Sequence, residues 1–485
     1  MENIFLALCI TALNWGVYFP TIFYDLAMDD FQWWHKKRQV GLQPLFKDGR
    51  LAIRTWPQLK GFIDDRLYSG TTLGLNIRVE HCLTIALHNT ICLLMFWAFG
   101  HDRVAFAAAA LYAVNPINNQ TSVWLNGRRY AVCIIAVLLM VIFPASSLVL
   151  YPFTGLLQVT AFFAPVLLVG HSPWYLVLIP VGLLFGWRRI KARCDARSSV
   201  MADGDLKTLR WTRLIVVVKT FGFFFWKMIF PQVCAMQYMD RIKWGQTKEG
   251  NEDAYKIDRA FGLGVLAFAV LLYAASHAPA WLVPGLVFYL LATLQWSAVL
   301  PITQVLSDRY CSMPNVFMMF FVAYWASKTG VLFVPIVAGL AVYYAVCLSV
   351  VMPMYENISK WYEYHFRHFP GLSWYRHNLI SDLMNEGQKD LAFYHAVQGL
   401  MHDRKDFRLL MWGAILSVLK GRVKEAEDLL EEAGKNFYVN KEEEQRKEVE
   451  YLKEQIGKLR PVYKKAERLT EKEKALLLKR RGVRP

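Results

Sequence analysis

The feature that most constrains this chain is its succession of apolar blocks of membrane-spanning length. A helix needs about 20 mostly apolar residues to cross a bilayer, and its backbone polar groups must be satisfied internally. Read this way, the sequence contains about eleven spans, at roughly 3–20, 80–99, 104–116, 130–144, 147–169, 173–187, 214–231, 260–276, 279–297, 314–328 and 331–352. Several are short or rich in Pro and Gly, which is tolerated where a helix packs against other helices. The first lacks a basic start and a small-residue cleavage site, so it reads as an anchor and not a signal peptide. The expected fold is all-α: a polytopic membrane helix bundle over 1–353.

Charge agrees with that reading. Only 19% of the 485 residues are charged, where a soluble chain carries roughly a quarter. The formal net charge of +16 suits a protein beside anionic lipid. Nucleic acid is the other common reason for such a charge. Here most basic residues flank apolar blocks, so no nucleic-acid partner is expected. The eight cysteines are single and form no C-x-x-C pair, so neither a zinc site nor a disulfide framework is indicated. No metal site is read and no cofactor is required, with a divalent metal left open.

The most basic loop, 187–213, belongs on the cytoplasmic side. The N-terminus then lies inside. Loop 21–79, the 115–129 segment, loops 232–259 and 298–313, and the C-terminal tail all face outward. After 353 the chain becomes charged and helical in period. In 405–436, Leu409, Trp412, Leu416 and Leu419 space one face, Gly421 marks a turn, and Ala426, Leu429, Leu430 and Ala433 space the next. With a preceding pair at about 376–402, the stretch 354–440 resembles tetratricopeptide-type helical hairpins. Residues 441–485 read as a solvated helix with a basic end.

The outward segments carry the chemistry-bearing residues. In "FYDLAMDDFQWW", Asp29 and Asp30 sit just beyond the first span. Adjacent carboxylates repel, so one can hold a raised pKa, as a general base requires. The same stretch also reads as an ordinary acidic loop with interfacial tryptophan anchors and no catalytic role. Arg309 in "LSDRYCSMPN" and Arg128 in "NGRRY" each begin a span, Lys227 lies near the outer end of another, and Arg66 falls in the first loop. A guanidinium at that depth can hold a lipid phosphate in a bidentate grip, or it can snorkel from a helix end. Lys219, nearer the cytoplasmic end, reads as snorkelling. Carboxylates and cations on one membrane face fit transfer chemistry on a phosphate-linked lipid.

The stretch "LYAVNPINNQTSVWLNGRRYAVC", 111–133, interrupts two apolar runs with amides, a tryptophan and a Gly-Arg-Arg. It resembles a pattern of the tetratricopeptide-repeat O-mannosyltransferases and their bacterial relatives, in which a His-Pro precedes "TE-V-W--GR" and then a span. Pro116, Val123, Trp124, Gly127 and Arg128 match, whereas Asn115 stands for the usual His and Gln120-Thr121 for the usual Thr-Glu. "MDDFQ" resembles the family's acidic pair after the first span. "EHCLTIALHNTICLL" resembles its "H-vN-llH" run, with His81 and His88 in place. "SDRYCSMPNVF" resembles its "aeRy-YlPs-gf" run, with Arg309 in place.

The resemblance implies a GT-C glycosyltransferase. Such an enzyme takes sugar from a polyprenyl-phosphate donor on the outer or lumenal side and passes it to a protein or glycan acceptor. The base role falls to Asp29 or Asp30, with Asp29 favoured as the first of the pair. Donor-phosphate candidates are Arg309, Arg128, Arg66 and Lys227. His81, His88, Asn115, Gln120 and Trp124 are further site candidates. The implied location is a bacterial inner membrane, or the ER membrane in a eukaryote, with the bilayer itself as a partner. Competing readings are a lipopolysaccharide- or glycan-modifying transferase of the same fold, a transporter of a lipid-linked substrate, and a scaffold presenting the tail. A transporter should show internal repeats, and none is visible between the halves.

Overall fold

The computed structural model describes residues 2–25, 27, 46–47, 50–51, 76–184, 212–235, 255–294, 307–370, 373–437 and 442–467. Apart from a two-residue antiparallel ladder, β1 (Phe46–Lys47) with β2 (Arg50–Leu51), these residues are helical or connect helices. The chain divides into two units. One comprises Met1–Arg197, Lys207–Ile242 and Ala254–Tyr364, the other Ser198–Leu206, Lys243–Asp253 and His365–Pro485.

The first unit contains α1 (Glu2–Tyr18), α2 (Ile77–Ala98), α3 (Arg103–Val114), α4 (Arg128–Ile142), α5 (Ser147–Leu157), α6 (Thr212–Ile229), α7 (Arg259–Ser276), α8 (Val283–Leu294), α9 (Ser312–Ser327) and α10 (Phe333–Val351). Among the described residues, four helical stretches are long and apolar enough to cross a membrane: Glu2–Phe23, Ile77–Ala98, Arg259–Ser276 and Gly330–Tyr355. By length and composition they are consistent with a membrane protein. Other apolar helices are shorter. The 12 residues of α3 rise only about 18 Å, against roughly 30 Å of hydrocarbon.

The apolar run at 147–169 is not one straight helix. It is α5 followed, after Gln158, by a ten-residue 3-10 stretch, Val159–Leu168. Gln158 is extended (φ −147°, ψ 131°) and ends α5, while Pro165, which lacks an N–H, sits inside the 3-10 stretch that follows.

Small residues let helices approach closely, as membrane interiors favour. A Cβ added to Gly222 of α6 would lie 2.4 Å from the Cα of Gly264 in α7, and one added to Gly264 would lie 2.2 Å from the Val218 carbonyl oxygen. Lys219, expected to snorkel, is instead buried and donates to Asp258 at 2.8 Å. Asp258 also caps α7, its other oxygen accepting from the Phe261 amide at 3.1 Å. The α3–α9 contact fixes a register: the Tyr112 hydroxyl donates to the Ser312 carbonyl at 3.2 Å, while Phe99 packs on Phe320 with ring centroids 4.1 Å apart. The two helices therefore run antiparallel, and the residues after α3 meet those before α9.

The second unit holds two helix-turn-helix pairs and a last helix. α12 (Ser373–Asn385) pairs with α13 (Lys389–His402), and α14 (Phe407–Leu419) pairs with α15 (Val423–Ala433). α11 (Ile358–His368) contains the division between the units, after Tyr364, and α16 (Glu442–Glu467) closes the second unit. Gly387 (φ +80°) and Gly421 (φ +77°) make the two turns in the left-handed region that favours glycine. Asp406 caps α14 by accepting from the Leu409 amide at 2.9 Å. Leu409 and Leu416 pack with Ile380, Leu383, Ala392 and Ala396, whereas Leu419 is exposed. Ala426, Leu430 and Ala433 join Phe407, Leu410 and Ala414 in a second cluster.

Candidate functional site

The polar insertion after α3 is a folded turn. Pro116 ends the helix, and the Asn115 side chain accepts from the Ile117 amide at 3.0 Å. A 3-10 turn (Pro116–Asn118), a helical turn (Asn119–Ser122) and a second 3-10 turn (Leu125–Gly127) carry the chain into α4. Asn115, Asn118, Asn119, Gln120 and Thr121 are fully buried. Buried amides are costly unless hydrogen-bonded, and these are bonded. Asn115 donates to the Met228 carbonyl at 2.9 Å and Asn118 to the Tyr112 carbonyl at 2.8 Å. Gln120 donates to the Ala235 carbonyl at 3.1 Å and accepts from the Ser307 hydroxyl at 3.4 Å. Asn118 accepts from Asn315 at 3.2 Å, and the Tyr355 hydroxyl donates to Asn119.

Gly127 is required by this packing. A Cβ there would lie 1.7 Å from the Gln120 carbonyl oxygen. The glycine of "NGRR" thus lets the turn fold back upon itself.

Around the turn lie charges from distant parts of the chain. Asp308, fully buried, accepts from the Ala235 amide at 2.9 Å. Arg309, also buried, stacks its guanidinium 5.9 Å from the Trp124 ring and 5.1 Å from the Tyr310 ring. Lys227 sits over the Phe223 ring at 5.9 Å. Burial first, and Asp308 second, push the Cys234 and Cys311 thiols well above their usual range, with Lys227 opposing. These cysteines stay protonated, so they are poor nucleophiles.

Arg128 has an internal counter-charge. Its guanidinium donates to the Glu80 carboxylate, to the Glu80 carbonyl, and to the Thr84 hydroxyl at 2.9 Å. Arg128 and Glu80 are both buried. The sequence offered a donor-phosphate or a snorkelling role for Arg128; the fold gives it an ion pair that fastens α4 to α2. His81, one residue on, lies against the Tyr24–Asp25 backbone, yet neither of its ring nitrogens completes a hydrogen bond among the described residues. His88 is deeper. Its Nε2 faces the Ala113 carbonyl at 3.3 Å, and its ring stacks on Tyr112 and meets Tyr18 edge-on. The Trp124 indole N–H has no hydrogen-bond partner in the described structure.

The fold therefore gathers Arg309, Trp124, Gln120, Asn115 and Lys227 around the turn. It places Arg128 at the head of α4, paired with Glu80 near the start of α2, with His81 beside Glu80 and His88 further along α2. Asp29, Asp30 and Arg66 lie outside the described residues. Asp25, from the same acidic stretch as Asp29, is described: its amide donates to the Glu356 carbonyl at 2.9 Å, beside His81. Sequence reasoning passed over Glu80, Asp308 and Asp25. A usable signal existed for Glu80, a lone carboxylate at the head of an apolar block, because such a group demands a partner. Among the described residues no three His, Cys, Asp or Glu side chains are grouped to hold a metal. Comparisons with family models, with curated proteins and with solved structures find no match for this chain.

Proposed function

We propose that this chain is an integral-membrane glycosyltransferase of the GT-C type. It moves a sugar from a polyprenyl-phosphate donor to a protein or glycan acceptor. One observation carries the reading. Three of the stretches that resemble the O-mannosyltransferase pattern, at 80–94, 107–133 and 307–317, are far apart in sequence, yet they pack together. The chain just after α1 meets the head of α2, where the Arg78 guanidinium lies 5.6 Å from the Phe23 ring centroid. The head of α2 holds the head of α4 through Glu80 and Arg128. The 115–127 turn meets the 307–315 stretch through Gln120–Ser307, Asn118–Asn315 and Trp124–Arg309.

The chemistry follows from these groups. A first-loop carboxylate, Asp29 or Asp30, takes the proton of an acceptor hydroxyl. The hydroxyl oxygen bonds to the anomeric carbon as the bond from that carbon to the phosphate oxygen breaks. Polyprenyl phosphate leaves, and in-line attack inverts the anomeric centre. Arg309 and Lys227 neutralise the charge that grows on the leaving phosphate, where a fixed cation stabilises the transition state more than the ground state. Arg128 acts at one remove, holding α4 on α2. In this reading the bundle has about eleven spans, the locus faces the periplasm or the ER lumen, and the tail is tetratricopeptide-like.

The test is sugar transfer from a synthetic polyprenyl-phosphate donor by the purified chain. Asp29→Asn should slow turnover about 100- to 10,000-fold while leaving donor binding intact. Full activity in both Asp29→Asn and Asp30→Asn would remove the catalytic assignment.

A further inference from the structure

Several surface cations of the second unit have acidic partners. Arg422 pairs with Glu425 at 3.5 Å, Lys435 with Glu431 at 2.8 Å and Arg446 with Glu442 at 2.7 Å. Arg376 of α12 lies in the same unit and is only 6% exposed, yet no carboxylate pairs with it among the described residues, and its Nε has no hydrogen-bond partner there. Burial pushes its guanidinium below the usual arginine range, and the group that opposes this is Tyr394, a phenol and not an acid. A buried charge is costly unless paired and hydrogen-bonded, so a buried cation with neither is a favoured seat for an anion.

The surroundings are built around that seat. The guanidinium carbon lies 4.6 Å from the ring centroid of Phe366 in α11. The His395 ring of α13 stands 5.6 Å from the same Phe366 ring, and the Tyr394 ring 5.3 Å from His395. Gly399, one turn further along α13, makes room. A Cβ there would come within 3.0 Å of Arg376 Cδ and 2.8 Å of Leu409 Cδ1. A glycine inside a helix weakens it, so α13 gives up helix stability where Arg376 enters. His395 Nδ1 is also buried without a hydrogen-bond partner. Burial first and Arg376 second hold His395 below the usual histidine range, which keeps it neutral at neutral pH. A neutral imidazole donates from Nδ1 in one of its two tautomers. One charged and one neutral donor thus stand beside a single Phe366 ring.

We infer that Arg376 and His395 form a binding site for a carboxylate group carried on an apolar body. The planar fork of an arginine matches the two oxygens of a carboxylate. One positive charge balances one negative charge, whereas a phosphate dianion would leave surplus charge against Phe366 and a neutral imidazole. Phe366 and Tyr394 supply the apolar wall. The carboxylate belongs to a small organic acid or to the C-terminus of a peptide. The inference does not depend on the proposed transferase activity.

The test uses the full chain in detergent micelles with 4-fluorobenzoate as the probe, followed by fluorine relaxation against protein-free micelles. Saturable binding to the parent is expected, weakened at least about tenfold in Arg376→Met, as the loss of a hydrogen bond to a charged group implies. Arg422→Met, which removes a paired surface arginine, should bind like the parent. Methionine keeps an apolar stem at Phe366 and leaves no buried charge, so Arg376→Met should unfold no earlier than the parent. The probe should raise the unfolding midpoint of the parent and not that of the variant. Displacement of the probe by a short peptide with a free C-terminus, but not by its C-terminal amide, would assign the carboxylate to a chain end; displacement by benzoate alone would assign it to a small acid. Absence of saturable binding to the parent, or equal binding to the parent and Arg376→Met, overturns the inference. Earlier unfolding of Arg376→Met also overturns it, because the arginine then serves the fold through Phe366. Inorganic phosphate displacing the probe as well as benzoate does would overturn the carboxylate assignment.

Discussion

Replacing Arg128 with Met removes the counter-charge of Glu80 and nothing of comparable strength replaces it. The guanidinium supplies hydrogen bonds to the Glu80 carboxylate, the Glu80 carbonyl and Thr84, all inside the first unit. Glu80 is fully buried, and its second carboxylate oxygen already has no hydrogen-bond partner among the described residues. Breaking a buried pair by removing one partner costs about 3–5 kcal/mol, because the remaining charge stays desolvated. Glu80→Leu alone should cost a similar amount by stranding the arginine. The double variant Glu80→Leu/Arg128→Met strands nothing, so it should recover at least about 2 kcal/mol relative to the sum of the singles. Reversible unfolding in detergent micelles, followed for the four members of the cycle, measures this coupling. Additive losses would refute the ion pair as the link between α2 and α4. Losses under about 1 kcal/mol in both single variants would refute its burial, because exposed pairs are worth that little.

Other outcomes follow from the same contacts. Gly127→Ala should destabilise the first unit by about 1–3 kcal/mol and cut transfer activity, since the added methyl meets backbone and not a movable side chain; parental melting and activity would show that the turn does not fold back there. Gly222→Ala should destabilise the α6–α7 crossing by a similar amount, about 1–3 kcal/mol, whereas Gly339→Ala in α10 meets no atom within 4 Å and should be silent; equal unfolding midpoints for the two variants would contradict the close crossing. In the second unit, burial first and Arg408 second push His377 down to about 4, against Asp406, and its Nδ1 accepts from the Trp412 indole at 2.8 Å. The folded state therefore holds this imidazole neutral while the unfolded chain binds a proton near pH 6.5. Its contribution is complete above about pH 6.5 and is lost as pH falls toward about 4. Asp403, raised by burial and then by Asp406, shifts stability the opposite way. Amide hydrogen exchange across α12 and α14 should speed up over that window, and His377→Gln, which keeps an acceptor for Trp412, should flatten the response; an unchanged profile in the variant would contradict the assignment.

Local pattern made much of the architecture legible. Apolar blocks marked the helices, Pro116 marked the end of α3, and Gly421 marked the α14–α15 turn, because each acts on its immediate neighbours. The polar insertion at 115–127 was legible as a site candidate because buried amides are out of place in an apolar run. Its partners were not. Glu80 meets Arg128, Asp308 meets the Ala235 amide, and Gln120 meets Ser307 across long stretches of chain, and no periodicity records such pairings. Lys219 was misread for the same reason: a lysine in an apolar helix looks like a snorkelling residue until Asp258 is brought to it. Hydropathy alone gave the 147–169 block as one run and did not record the change from α to 3-10 helix after Gln158.

The most direct test of the central claim is turnover of a radiolabelled polyprenyl-phosphate sugar by the purified chain, comparing the parent with Arg309→Lys and Arg309→Ala. The guanidinium lies buried against Trp124 and Tyr310 at the meeting of the 115–127 turn and the 307–315 stretch. Lysine keeps the charge but loses the planar fork, so Arg309→Lys should lose part of the rate. Arg309→Ala should lose more, about 2–4 kcal/mol in the barrier, with polyprenyl phosphate released in step with labelled acceptor in the parent. Absence of turnover by the parent on any polyprenyl-phosphate sugar, or an Arg309→Ala variant as fast as the parent, would contradict the account.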